Sequence, residues 1–347
     1  MGTIEIVAKY DLANQRWNFH PNAIDYGRSF AFANYEEIIN NEIGKIDYII
    51  INHGSRVEDH SKDFRNIKEK EVQMNHVIDH YRRNNGNYVI KLFLMDADAP
   101  IVEDAKLFAH YIDGLVLSPN TNSINLIGLS KCSAMNFYIP SFFQNPKSFK
   151  KTNIFNIAAP YTGTKLASPL IFYPEVKQWI CSKIGDHLLS EKIYNQLIAY
   201  YEGISSNSHM DYDIAISNGI PPSKSDVYDA GFIQNIFCAD NIEAMKRIQT
   251  FKNFITGIDN QTFRESLRTM NMVGMGLCIL DDLFFNHQSD GMVYTDSQRM
   301  VDDVLDIKSQ RLKSTHHDVN SNIRAFNEVL GEVDDTIEES WQFIKKM

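Results

Sequence analysis

The sequence has few cysteines, no excess of basic charge and no long apolar run. Its four cysteines, Cys132, Cys181, Cys238 and Cys278, are far apart and form no CxxC pair. That spacing offers neither a disulfide framework nor a zinc-ligand set, so they read as thiols in a reducing compartment. Thirty-four Lys and Arg face 44 Asp and Glu, for a net charge of −10. A phosphate backbone is bound by clustered basic side chains, so nucleic acid is excluded as a partner class. Electrostatic adhesion to anionic lipid is excluded on the same ground, although an apolar patch would still allow transient contact with a membrane surface. The purely apolar runs are only a few residues long, so no transmembrane segment is expected. The opening MGTIEIVAKYDLANQ lacks the basic stretch and apolar run of a secretory signal. Ile6 stands where a myristoylation pattern after Gly2 wants Ser or Thr. The expected location is the cytoplasm, or outside it by a route that reads no N-terminal signal. Internal repeats and low-complexity tracts are also lacking.

What is present is ordinary globular composition over 347 residues, with 44% apolar and 22% charged. At about 150 residues per domain the prior is two domains, but one α/β domain with insertions reaches this length. Short apolar runs recur in the first half at Ile46 to Ile51, Tyr88 to Met95, Ile124 to Ser130 and Asn153 to Pro160. Each ends in small, polar or turn-forming residues, as strands buried on both faces do. Asp113 to Pro119 reads as a short strand or a turn. Val57 to Asn84 and Lys131 to Asn145 are long enough for crossover helices. This alternation predicts an α/β fold with a mostly parallel central sheet flanked by helices. From Leu170 to about Leu267 the pattern is mostly helical, including Asn241 to Ile258, around a Ser-, Asn- and Pro-rich stretch from Ile204 to Ser225. It reads as an insertion on the core sheet. Strand character returns at Met270 to Leu280. Val301 to Leu312 reads as helical, and Asn320 to Lys346 as an amphipathic helix.

The informative segment is Ile124-Asn-Leu-Ile-Gly-Leu-Ser130-Lys131-Cys132-Ser133-Ala134. An apolar strand runs into Gly-x-Ser and then into a helical pattern. A serine on such a sharp turn stands with its Oγ free at the sheet's C-terminal edge. The helix N-terminus and the Lys131 N–H then face any oxyanion formed on an attacked carbonyl. The full pattern has glycine where Cys132 stands. Taken alone, Ser130 is equally well a helix-capping serine. Cys132 suggests a thiol nucleophile, but a small buried residue in the glycine slot is the plainer reading. Asp96 and Asp98 end a strand as metal-binding aspartates do in phosphatase-type folds, yet Pro100 and no nucleophile phrase follows.

With its surroundings, the segment resembles the α/β-hydrolase superfamily, and within it the lipases and esterases. The strand before it ends in His53-Gly54-Ser55, like the family's His-Gly, whose next backbone N–H builds the oxyanion hole. Ser130-Lys131-Cys132-Ser133 is similar to Ser-Lys-Gly-Gly. Pro160-Tyr161-Thr162-Gly163-Thr164-Lys165-Leu166-Ala167 resembles Pro-His-x-Gly-Ser-x-x-Ala, with tyrosine in place of histidine. Downstream, Ser289-Asp290-Gly291-Met292-Val293 is similar to Asn-Asp-Gly-x-Val, which carries the acid. His316-His317-Asp318-Val319 fits His-x-Asp-aliphatic, which carries the base.

The resemblance implies a nucleophile at Ser130, an acid at Asp290 and a base at His316, with His317 the competing base. Asp281 and Asp282 are fallback acids, and Asp-Gly at 290 is by itself a turn signal. Backbone N–H groups of Ser55 and Lys131 would form the oxyanion hole, leaving His53 a structural role. The family's lid corresponds to 170–267, with 1–169 and 268–347 as core. The implied activity is hydrolysis of carboxylic esters, with a lipid or other small acyl ester as substrate and no cofactor or metal. Rival expectations are acyl transfer by the same residues, an inactive hydrolase scaffold that binds, and a patatin-type Ser–Asp dyad.

Overall fold

The computed structural model describes residues 8–11, 16–19, 34–39, 44–55, 64–84, 86–96, 101–161, 182, 236–257, 290, 293, 295–314, 316, 319 and 322–346. The apolar runs form strands because successive side chains point to opposite faces and both faces are covered. Ile49 and Ile51 pack into one core and Ile50 into the other. Leu126 and Ile127 divide in the same way, as do Ile154 and Phe155.

In chain order the elements are β1 (Ala8–Asp11), β2 (Arg16–Phe19), β3 (Asn34–Ile39), β4 (Ile46–Ser55), α1 (Phe64–Arg82), β5 (Tyr88–Asp96), α2 (Ile101–Leu115), β6 (Thr121–Leu129), α3 (Lys131–Tyr138), α4 (Pro146–Lys151) and β7 (Thr152–Ile157). They continue with α5 (Ala239–Lys246), β8 (Thr250–Ile255), α6 (Thr295–Leu305), β9 (Gln310–Arg311) and α7 (Ile323–Lys346). β1 and β2 pair antiparallel by themselves. The main sheet has seven strands in the order β3-β5-β4-β6-β7-β8-β9. β3 is antiparallel on one edge, and the rest are parallel. Met74, Val77, Ile78 and Tyr81 of α1 share one core with Phe326, Val329, Leu330 and Val333 of α7. The opposite face packs on α2, α3, α4 and α5. The expected α/β architecture with a mostly parallel sheet is therefore present.

The structure differs from the sequence reading at three places. Asn241 to Ile258 is not one helix: α5 ends at Lys246, and Thr250–Ile255 is β8, in register with β7. The apolar residues at 242, 245, 248, 251, 254 and 255 fit helical spacing, but β7 offers an open parallel edge and pairing decides. The range 170–267 therefore has its described C-terminal part in the core sheet, not in an insertion. Asp113 to Pro119 is the end of α2 and a turn. Val301 to Leu312 breaks after Leu305, where Asp306 adopts φ 53°, and the chain then enters β9. Apart from residue 182, the rest of the expected lid up to residue 235, the strand at Met270 to Leu280, and Asp281 and Asp282 lie outside the described residues. Among the described residues, no helix is long and apolar enough to cross a membrane.

Candidate active site

The site is built on the turn between β6 and α3. All nine residues of β6 are buried, and so is every residue of α3, so the turn joining them has little freedom. Ser130 occupies that turn with φ 54° and ψ −123°, a conformation that L residues rarely adopt. The surroundings enforce it. The Ser130 N–H donates to Ile157 O at 3.0 Å, and Ser130 O accepts from the Ser133 N–H at 2.8 Å. The Ser133 hydroxyl donates to Ile157 O at 2.9 Å and accepts from the Ile157 N–H at 3.0 Å, pinning α3 to the end of β7.

Gly128 is required for a different reason, which is space. A Cβ there would lie 2.4 Å from Asn136 Nδ2 and 2.9 Å from Ser133 Cα. Asn52, Gly128, Asn156 and Asn253 stand side by side on β4, β6, β7 and β8. The Asn136 amide fills the gap over Gly128, 3.2 Å from Asn52 and from Asn156. This buried row of amides beneath α3 was not anticipated from sequence; the asparagines that interrupt apolar strands were its only signal. Cys132, which stands where the resembled pattern has glycine, is buried in the core.

At the open end of the turn, Ser130 Oγ lies 2.9 Å from His316 Nε2. His316 Nδ1 lies 2.9 Å from Asp290 Oδ2. The His316 N–H also donates to Asp290 O at 3.0 Å, so ring and backbone are both held by the same residue. Asp290 is fully buried, and the His316 side chain is only 10% exposed. Burial pushes the Asp290 carboxyl up, but the charge and hydrogen bond of His316, with the Thr256 hydroxyl and the Val293 N–H, outweigh it and hold it below its ordinary value. An ionised carboxylate only accepts, so Nδ1 carries the ring proton and Nε2 is left to take a proton from Ser130. The structure thus brings Ser130, His316 and Asp290 into one hydrogen-bonded line. Thr256 and Gln298, which also bond Asp290 Oδ2, were missed in the sequence.

The other expected residues lie as follows. Ser55 ends β4, whose pairing with β6 stops at His53–Leu129 but whose pairing with β5 runs on to Ser55–Asp96. The end of β4 therefore stands at the same sheet edge as Ser130. Lys131 opens α3; its side chain is buried and lies 3.8 Å from the Asp104 carboxylate on α2. His53 is buried within β4. Tyr161, which stands where the resembled family has histidine, is fully buried and bonds Asn156 at 2.9 Å and Asn253 at 3.2 Å. Burial pushes its hydroxyl well above the usual tyrosine value, so it stays neutral. His317, Asp318 and Asp98 lie outside the described residues. Among the described residues, no group of three or more His, Cys, Asp or Glu side chains is placed to hold a metal ion.

An antiparallel edge strand, a run of parallel strands and a serine on the strained turn after β6 decide the architecture. The fold is that of an α/β-hydrolase. No protein-family model matches the sequence, and no curated protein matches it. Among solved structures, the chain is similar to a lipase of Bacillus licheniformis, BlEst2 in mature form, at 12% identity and a TM-score of 0.47, over 86% of this chain and 97% of that one. It is also similar to a lipase-esterase related protein of Clostridium acetobutylicum at 12% identity and a TM-score of 0.38, over 86% and 98%. A carboxylesterase study of Nitrososphaera gargenis supplies a third, at 9% identity and a TM-score of 0.41, over 89% and 96%.

Proposed function

We propose that the protein is a serine hydrolase acting on carboxylic esters, with a lipid or other small acyl ester as substrate. The observation that carries this reading is the unbroken contact from Ser130 Oγ through His316 to the buried Asp290 carboxylate, at 2.9 Å for each link. A serine hydroxyl is a weak nucleophile until a base stands at hydrogen-bond distance. Here His316 Nε2 takes the Ser130 proton as Oγ attacks the ester carbonyl. Asp290 holds the ring orientation and stabilises the imidazolium. His316 then returns the proton to the leaving alkoxide, which departs as the alcohol and leaves an acyl-Ser130 ester. Water, deprotonated by His316, attacks that ester; the acid departs, and His316 returns the proton to Ser130 Oγ.

The carbonyl oxygen gains charge in both steps. The N–H of Lys131 at the start of α3, and that of Ser55 at the neighbouring strand end, are the donors assigned to it. Each such donor is worth about 10²–10³ in rate. The strained backbone of Ser130 supports the same reading, because a capping serine has no need of φ 54° and makes a side-chain cap bond, which this one does not.

The test is a fluorophosphonate probe followed by mass spectrometry, together with hydrolysis of a short p-nitrophenyl ester. The expected result is a single adduct on Ser130 and turnover that is lost in both Ser130→Ala and His316→Ala. Full activity in either variant would overturn the mechanism.

A further inference from the structure

Among the described residues, Oδ2 of Asp290 meets more side-chain partners than Oδ1 does. Oδ1 accepts from the Val293 N–H at 2.7 Å. Oδ2 faces His316 Nδ1 at 2.9 Å, accepts from Gln298 Nε2 at 3.1 Å, and accepts from the Thr256 hydroxyl. The direction of Oδ2 is therefore set by two groups that take no part in proton transfer. Neither is free to swing. Gln298 is fully buried on α6; its Oε1 accepts from the Thr256 N–H at 2.7 Å, and its Nε2 lies 3.1 Å from Val293 O. Its backbone carbonyl accepts from Asn253 Nδ2 at 2.8 Å, which ties α6 to the amide row beneath α3. Thr256 is fully buried just beyond β8.

We infer that Gln298 and Thr256 are positioning residues: they keep Asp290 Oδ2 ionised and aimed at His316 Nδ1, so that Nε2 remains open to Ser130. This rests on the hydrolase reading above. Among the described residues, the groups facing the carboxylate include the imidazole from the His316 turn, the neutral hydroxyl following β8, the neutral amide from α6 and the Val293 N–H from its own turn. A proton on Oδ2 would point at donors and strand them. The α6 position demands an amide in particular. One side chain must accept from the Thr256 N–H and donate to Asp290, which an ionised Glu cannot do and an aliphatic residue cannot begin to do.

The test compares kcat/KM across pH for the wild type, Thr256→Val, Thr256→Ser and Gln298→Glu, each close in volume to the residue replaced. In the wild type the acid limb of the profile should have a slope of one, with Asp290 ionised throughout it. Thr256→Val removes the hydroxyl and keeps the shape. Its kcat/KM should fall about 10–100-fold, and the acid slope should steepen to two at a higher pH than in the wild type, because Asp290 then takes up a proton as well. Gln298→Glu should do the same, by setting a second negative charge against Oδ2. Thr256→Ser should restore both rate and slope. The downfield proton resonance of His316 Nδ1–H reads the same contact in the resting protein. It should be present in the wild type and Thr256→Ser, and shifted upfield or lost in Thr256→Val and Gln298→Glu. A loss of rate with unchanged slope and unchanged ring proton would reduce both residues to packing and overturn the inference, as would no change at all. If the wild type neither turns over nor takes the probe, the hydrolase reading fails. The ring proton then still decides whether these two side chains hold the carboxylate.

Discussion

Two buried aspartates stand at opposite ends of the same sheet, and their environments are tuned in opposite directions. Asp47 lies near the start of β4, where it accepts from Asn122 Nδ2 at 2.7 Å, Ser123 Oγ at 2.6 Å and Trp341 Nε1 at 2.9 Å. Asp290, at the end where the strands of the sheet finish, meets a comparable set of donors from Thr256, Gln298 and Val293. Burial nevertheless leaves the Asp47 carboxyl above its ordinary value, whereas the Asp290 carboxyl lies below it. What separates them is His316. Neutral donors satisfy the lone pairs of a carboxylate but do not offset its desolvation, while an imidazole at 2.9 Å tips the balance. Asp47 is built to clamp α7, through Trp341, onto the sheet. Asp290 is built to stay charged.

The sharpest way to break this contrast is to remove each charge in turn. Asp290→Asn should lower kcat on the order of 10⁴-fold, because the amide no longer fixes the ring tautomer. Asp47→Asn should leave ester turnover within a few-fold and cost stability instead. Equal losses of activity in the two variants, measured by initial rates on folded protein, would erase the distinction.

A second test uses pH. For Asp290 the folded carboxyl binds its proton less tightly than the unfolded one. Its contribution to stability is thus present above about pH 4 and lost as pH falls through the lowered folded value. For Asp47 the folded carboxyl binds its proton more tightly. That contribution is fully present below about pH 4 and is lost as pH rises through the raised folded value. Denaturant unfolding between acid and neutral pH should therefore show the deficit of Asp290→Asn shrinking on acidification and that of Asp47→Asn growing. Deficits that run parallel would contradict the assigned directions.

A smaller effect isolates the clamp. Trp341→Phe keeps most of the apolar contact of α7 and removes the indole N–H from Asp47. The expected cost is about 1–3 kcal/mol in denaturant unfolding, with no change in ester hydrolysis.

The sequence makes the two ends of the sheet unequally legible. The elbow end is written in local grammar: an apolar run, Gly128, Ser130 and then a helix, with Gly128 needed because Asn136 and Ser133 close on it. Asp290 and His316 came only through likeness to family phrases, since nothing local tells that a turn aspartate will meet a histidine 26 residues on. Thr256 and Gln298 were illegible because their role depends on β8. That strand carries apolar residues at a spacing that also suits a helix, and its identity is fixed only by pairing with β7. The Asp47 end was missed for a similar reason. Its donor from α7 comes from 294 residues away, and no period in the sequence links them.

The least disruptive test concerns Cys132, the residue that departs from the elbow pattern beside Ser130. Cys132 is 1% exposed and belongs to the same core as Ala134, Met135 and Phe137, while the hydroxyl of Ser130 is the group that meets His316. A thiol turned into the core is a small apolar filler and reacts slowly with anything in solution. Cys132→Ala removes one sulfur from that core and should cost about 1 kcal/mol. It should leave fluorophosphonate labelling of Ser130 intact. Cys132→Gly matches the pattern of the resembled family, yet should be less stable than Cys132→Ala by about 1 kcal/mol, because glycine in the first turn of α3 frees backbone that the native fold must fix. A gain in turnover on restoring the glycine would mean that Cβ at this position strains the elbow, and loss of the adduct in Cys132→Ala would move the nucleophile from the hydroxyl to the thiol.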